Sequence, residues 1–326
     1  MTLILRRLKF GTSKSLKICH INAQSLLRKM DEFKSVFEKS GVDIICVSET
    51  WFSPTMHDNP VKLIGFKLFR ADRDTHAGGV AIYVRQGISC KVVIKSNQSC
   101  LSEFIFLEVR SDLSKLLLCC AYRKHRTVDF SEVINILENI SIEYTDVIVV
   151  GDLNSNILTN SSIANSMQDL GLFPTNTETP TYFTNTSSTL LDIFFVSCPP
   201  KIIKYDQVSA PQFSHHDCIF LSYDFQLCRK MKTFQYRDYK NLDYTSLDSA
   251  VNNINWASVR FMDSVEDQIT FLNHYISLLF NQFVPRKACQ TKKTDNKPWF
   301  NSAIAVHIRD RDTAYERWKC YRTPDL

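Results

Sequence analysis

The chain has 326 residues, 44% of them hydrophobic and 22% charged, with a formal net charge of +5. That length buries a full-sized core, as one large domain or one plus an appendage, and the composition is that of an ordinary soluble globular protein. No apolar run approaches the roughly 18 residues of a membrane span, and Leu3 to Leu5 followed by Arg6 and Arg7 is no signal peptide, so cytoplasm or nucleus is expected over secretion or a membrane.

In chain order, short β-rich runs broken by turn residues extend to about Phe225, with a few helices between them. LKICHINAQSL delivers Asn22. DEFKSVFEKSG spaces Phe33, Val36 and Phe37 as a helix does and stops at a glycine. VDIICVSET delivers Glu49, and KLLLCCAYRKH delivers Tyr122 and Arg123. VDFSEVINILENI sets Phe130, Val133, Ile134, Leu137 and Ile140 on one helical face. DVIVVGDLNSN runs a buried strand into Asp152 and Asn154, and SSIANSMQDLGL is a weaker third helix. Two later runs reverse the order: LLDIFFVS begins with Asp192, and SHHDCIFLSYDF begins with Ser214, His215 and His216.

Beyond Phe225 the texture changes. SVEDQITFLNHYISLLFNQFV carries Val265, Ile269, Leu272, Ile276 and Phe280, which read as the core stripe of a helix, and PWFNSAIAVHIRDRDTAYERWKCYR reads as a second, charged helix. The charge surplus also lies wholly here, with 16 Lys/Arg against 11 Asp/Glu from Gln226 onward, concentrated in RKACQTKKTDNK. The expected organisation is an N-terminal extension (1–14), a main domain (15–228) and a basic, mainly helical segment (229–326) whose end close behind the last helix reads as an interruption. Eleven cysteines with no Cys-x-x-Cys spacing read as reduced core thiols, not as a disulfide framework or a zinc site.

Four runs therefore end on polar residues and two begin on them. If the two run antiparallel to the four, all these groups collect along one edge of the packed sheets. Period-two geometry sends Asp152 and Asn154 to the same face. A single Asp or Glu at a strand end is usually a turn former; six runs sharing one placement are not explained that way. Carboxylates and a carboxamide, with few thiols or imidazoles, suit Mg²⁺, and Asn, Arg, Tyr and His can bind or neutralise phosphate oxygens. The implied chemistry is metal-assisted phosphodiester hydrolysis.

The ordered set HINAQSL, VSETWF, AGGVAIYVR, CCAYR, VVGDLNSN, LLDIFFVS and FSHHDCIF resembles the endonuclease/exonuclease/phosphatase superfamily over about residues 15–225. It looks most like the branch found in non-LTR (LINE-type) retrotransposon polyproteins, and KPWFNSAIAVHIRDRDTAYERWK resembles the segment between endonuclease and reverse transcriptase there. The resemblance implies an α/β (α+β) fold, a four-layer α/β/β/α sandwich of two mixed sheets, followed by a mainly helical C-terminal appendage. It implies Glu49 as principal Mg²⁺ ligand with Asn22 close by, Mn²⁺ being the alternative ion. Asp152 would orient or deprotonate the attacking water, Asn154 and Tyr122 would hold the scissile phosphate, and His216, oriented by Asp192, would assist proton transfer. Arg123 and Ser214 are expected at the substrate, and Gly78 and Gly79 in a tight turn. Two positions depart from the pattern: Gln24 stands where abasic-site repair relatives carry Asp, and His215 replaces the Asp of Ser-Asp-His. Asp217, on the same strand face as His215, is the residue expected to supply that charge.

The leading function is a Mg²⁺-dependent DNA endonuclease that leaves a 3′-hydroxyl primer for reverse transcription, with DNA as partner, element RNA on the basic tail, and no small-molecule cofactor. No Tyr/Phe-x-Asp-Asp pattern of a polymerase palm occurs in the chain. The alternatives are a catalytically inactive nucleic-acid-binding remnant, and a phosphatase or exonuclease on the same fold.

Overall fold

The computed structural model describes residues 15–73, 77–159, 161–227, 233–290 and 302–322. The expected N-terminal extension and residues 291–301 of the basic segment lie outside that set.

The apolar runs form strands in the expected places. In chain order they are β1 (Leu16–Asn22), β2 (Ile44–Ser48), β3 (Phe66–Ala71), β4 (Val80–Arg85), β5 (Ser89–Lys95), β6 (Glu103–Arg110), β7 (Lys115–Tyr122), β8 (Asp146–Asp152), the short β9 (Phe173–Pro174), β10 (Tyr182–Phe183) and β11 (Ser188–Thr189), then β12 (Asp192–Val196), β13 (Ile202–Val208) and β14 (Cys218–Tyr223). One six-stranded sheet has the order β13-β14-β1-β2-β4-β3 and the other β5-β6-β7-β8-β12-β9. Both are mixed: β1 is parallel to β2 but antiparallel to β14, and β8 is parallel to β7 but antiparallel to β12.

Strands covered on both faces explain why the runs are nearly continuous in apolar residues. One face of each sheet meets the other sheet, through Ile18, Cys46 and Ile82 on one side and Leu118, Ile148 and Phe194 on the other. The outer face of the first sheet packs on helix α1 (Met30–Phe37), which buries Met30, Phe33, Val36 and Phe37. The outer face of the second packs on α2 (Ser131–Ile140), through Val133 and Leu137, and α3 (Ser162–Asp169), through Ile163 and Met167. This is the expected four-layer α/β/β/α sandwich. Cys19, Cys46, Cys90, Cys100, Cys119, Cys120, Cys198 and Cys218 are free, and five of them are buried.

Residues 231–296 form a second unit. In it β15 (Thr233–Arg237) pairs antiparallel with β16 (Arg286–Gln290), beside α4 (Tyr244–Asn252) and α5 (Val265–Phe283). The expected stripe of α5 is not its buried face: Val265, Ile269, Leu272, Ile276 and Phe280 are all exposed. Phe271, Tyr275 and Leu279 turn inward instead, and Phe271 and Tyr275 pack on Trp256. One residue of phase, about 100° of helix rotation, separates the two faces.

The last helix, α6 (Ser302–Arg322), is present as expected, but it clusters with residues 1–230 instead of with the segment before it. Ion pairs and a hydrogen bond tie it there. Arg311 bonds Glu32 of α1 at 3.0 Å and Gln212 at 3.2 Å, and Lys319 reaches Asp217 at 2.7 Å.

Candidate active site

Each inter-sheet face, apolar through its middle, turns polar at one rim. On β7 the row Leu116, Leu118, Cys120 ends in Tyr122; on β8 Ile148 and Val150 lead to Asp152; on the antiparallel β12 Asp192 precedes Phe194 and Val196. Strand register places Tyr122, Asp152 and Asp192 side by side across three adjacent strands. On the facing sheet, Leu16 and Ile18 of β1 lead to His20 and Asn22, and Asn22 pairs with Ser48 of β2. Parallel β7–β8 and antiparallel β8–β12 pairing thus bring residues from opposite ends of their sequence runs to one rim.

Gly151 makes the row possible. A Cβ there would collide with the Ala121 carbonyl oxygen of the neighbouring strand. Gly151→Ala is therefore expected to push β8 from β7 and destabilise the fold by more than about 4 kcal/mol; urea unfolding against wild type measures it.

The loops leaving the rim are tightly wound. Gln24, Ser25, Glu49, Trp51 and Asn154 hold positive φ values between 41° and 78° and are the described non-glycine residues that do so. Such backbone is unfavourable for side-chain-bearing residues and persists where the surroundings impose it. Gly78 and Gly79 also lie at positive φ, their carbonyls accepting Trp51 and Thr50 N–H; a Cβ on Gly79 would stand 2.7 Å from Thr50 Oγ1.

At the centre is Asn22, whose Nδ2 donates to Glu49 Oε1 and Asp152 Oδ2, both at 2.8 Å. Its Oδ1 accepts from Gln24 N–H. Glu49 is also reached by the Tyr122 hydroxyl and by Trp51 Nε1 at 3.3 Å. Asp152 Oδ1 accepts Asn154 N–H at 3.0 Å, and Asn154 Nδ2 donates to the Arg123 carbonyl. Burial, then the nearby Asp192 carboxylate, raise the Asp152 pKa against the pull of His216 and its hydrogen bonds. Burial, then the Glu49 and Asp152 carboxylates, push the Tyr122 phenol up, so it stays a neutral donor.

Behind Asp152, His216 Nδ1 lies 2.7 Å from Asp192 Oδ2, and the ring of Tyr182 covers the imidazole with centroids 4.4 Å apart. Burial works against the imidazolium, but Asp192, Asp152 and Glu49 outweigh it and lift His216 to about 9. His20 lies on the far side of Asp192, wholly buried, and that burial lowers it to about 3.

The residues present fit a divalent cation. Glu49 and Asp152 aim anionic oxygens at one shared donor, Asn22 Nδ2, an arrangement a hard cation satisfies better than an amide. Asp152, Asp192 and His216 form a second group whose ligand atoms lie within 4.8 Å of one another, but His216 Nδ1 is committed to Asp192, so the oxygen set with Glu49 is the better match.

Three expected residues are engaged elsewhere, and a fourth faces outward. The Arg123 guanidinium donates to the carbonyls of Arg126, Val128 and Leu153, bracing its own loop instead of facing a substrate. Ser214 Oγ donates to the Asn22 carbonyl at 2.6 Å and accepts His216 N–H, so it ties the two site loops together. The side chain of His215 is exposed. Asp217 does not stand in for the missing carboxylate: it is held by Gln207 and Lys319, because residues 214–217 precede β14 and do not alternate as a strand would. Sequence reasoning in turn passed over His20, Trp51, Tyr182 and Lys29, whose Nζ gathers the carbonyls of Ala23, Gln24 and Phe213. His20 interrupts an otherwise apolar face, which is a readable signal; Tyr182 and Lys29 give none.

The model of the Endonuclease/Exonuclease/phosphatase family matches residues 19–204. The chain belongs to that family. Its members are metal-dependent phosphodiester hydrolases. Solved structures agree on the fold. An endonuclease/exonuclease/phosphatase family protein from Leptotrichia buccalis C-1013-b is 14% identical, aligned over 65% of this chain and 100% of its own, with a TM-score of 0.52. The 3′-5′ exonuclease NExo from Neisseria meningitidis is 13% identical over 64% of this chain and 100% of its own, with a TM-score of 0.51. An AP endonuclease from Archaeoglobus fulgidus is 13% identical over the same shares, with a TM-score of 0.50. No curated protein matches the chain. Among the described residues of this family member, no helix is long and apolar enough to cross a membrane.

Proposed function

We propose that the protein is a Mg²⁺-dependent DNA endonuclease of the non-LTR retrotransposon kind, nicking a phosphodiester to leave a 3′-hydroxyl. The observation that carries this reading is the meeting of Glu49, Asn22 and Asp152 at one point, with the Asp192–His216 pair directly behind. The ordered motifs of the mobile-element branch support DNA as substrate, and the basic surplus beyond Gln226 suits a nucleic-acid backbone, element RNA included. The nucleus follows as the place of action.

Glu49, with Asn22 and Asp152, would hold Mg²⁺, or Mn²⁺ in its place. When bound, the ion supplies electrostatic stabilisation of the charge that develops on the phosphoryl oxygens. The chain's own residues do the rest. Asp152, kept basic by burial, orients a water and takes its proton. The Tyr122 hydroxyl and the free N–H of the Asn154 amide steady the phosphate. His216 keeps Nδ1 on Asp192 and presents Nε2 as an acid toward the phosphate and the departing oxygen.

The competing reading with the chemistry retained is a 3′-phosphatase or exonuclease. A substrate panel separates them: supercoiled plasmid, a 3′-phosphorylated duplex and a recessed 3′-end duplex. Open-circle plasmid whose nicks a DNA polymerase extends directly is the expected result. Phosphate released from the 3′-phosphorylated duplex, or mononucleotides from the recessed end, with plasmid left intact would replace the endonuclease assignment.

A further inference from the structure

Among the described residues, His20 is the one buried imidazole that the mechanism leaves unused. It sits on β1 two residues before Asn22, on the face that Leu16 and Ile18 fill with aliphatic side chains. An isoleucine or leucine would continue that face with no polar group to satisfy, whereas a buried imidazole costs free energy unless both nitrogens are used. Nε2 lies 3.1 Å from Ser48 Oγ. Nδ1 lies 3.5 Å from Asp192 Oδ1, and neither of these two atoms has a hydrogen-bond partner. The other oxygen of the same carboxylate is the one that grips His216.

A neutral imidazole carries a single N–H. The Ser48 hydroxyl can give its proton to Nε2, which leaves the ring proton on Nδ1, facing an anionic oxygen. Asp192 then lies between two imidazoles, while its backbone N–H donates to Thr181 Oγ1. Without His20 the carboxylate would have one buried oxygen facing nothing and would be free to rotate away from His216.

We propose that His20 is a positioning residue, acting through Asp192 to hold His216 in the orientation that phosphodiester cleavage requires. This rests on the hydrolase reading above. The contribution of such an outer polar contact is about 10–100-fold in activity.

Three substitutions isolate the Nδ1 contact. His20→Leu refills the space without a donor, His20→Asn keeps a donor at the Nδ1 position, and His20→Gln moves it toward Ser48. The expected result is a kcat about 10–100-fold lower for His20→Leu and His20→Gln, with KM nearly unchanged and Tm near or above wild type, and recovery of most of the rate in His20→Asn. A second readout needs no turnover: the downfield ¹H resonance of His216 Nδ1–H, followed in EDTA, should move in His20→Leu and return in His20→Asn. Wild-type kcat in His20→Leu, or rate losses that track loss of Tm across all three variants, would overturn the proposal. If the wild-type protein proved inactive, the hydrolase reading would fail by itself, and an unmoved His216 resonance in His20→Leu would still refute the His20–Asp192–His216 coupling.

Discussion

Asp152→Asn should lower the rate of phosphodiester cleavage by about 10³-fold, within the range a positioned general base contributes, while leaving the protein folded. The asymmetry follows from where the carboxylate sits. It is wholly buried beside Asp192, and these two effects outweigh His216 and its hydrogen bonds, so its charge is costly for the fold and serves the chemistry. Asparagine retains the oxygen that accepts Asn154 N–H. It opposes its amide to Asn22 Nδ2, losing one hydrogen bond worth about 1 kcal/mol, but it also removes the repulsion with Asp192. The two effects nearly cancel, and Tm should move by no more than about a few degrees. Single-turnover cleavage of an end-labelled duplex beside thermal melting checks both halves; a rate loss matched by unfolding would remove Asp152 from the chemistry.

His216→Ala carries the second large effect, a loss of about 10²–10⁴-fold in rate. Because Asp152 and His216 act on one reaction as a unit, the double variant should be little slower than the worse single one. The pair of His216 with Asp192 also has a pH signature. The folded-state pKa of His216 is raised to about 9 from an ordinary 6.5, so the folded protein binds that proton more tightly than the unfolded chain does. The resulting stability is fully present below pH 6.5 and is lost as pH rises through about 9. Melting of the metal-free protein across that window should show a fall that Asp192→Asn largely abolishes. Equal slopes in the two proteins would mean that Asp192 does not hold His216 cationic.

The strand ends carrying Asn22, Glu49, Asp152 and Asp192 were legible because two buried sheets force nearly continuous apolar runs, and any polar residue closing such a run stands out. What the runs do not carry is register: that Tyr122, Asp152 and Asp192 share one row depends on pairing between strands as far apart as β7 and β12. Arg123 shows the same limit from the other side. An arginine just beyond a strand reads equally as a phosphate ligand or a loop brace, and only its bonds to carbonyls 126 and 128 of its own loop and 153 after β8 decide for the brace. Asp217 was misplaced because alternation was extended into a loop. In α5 the exposed stripe is the more aliphatic one, and aromatic packing of Phe271 and Tyr275 on Trp256 selected the other face. His20 was passed over because one histidine in an apolar run is most often a satisfied core residue; its unpartnered nitrogen beside Asp192 is visible only in three dimensions.

The measurement that tests the account most directly is conversion of supercoiled plasmid to open circle by purified protein, in Mg²⁺ and in EDTA, with Asp152→Asn alongside. The account predicts nicking by the wild-type protein in Mg²⁺ and essentially none in EDTA or by the variant. A folded wild-type protein that binds the plasmid but leaves it supercoiled, or nicking that persists in EDTA or in Asp152→Asn, would contradict it.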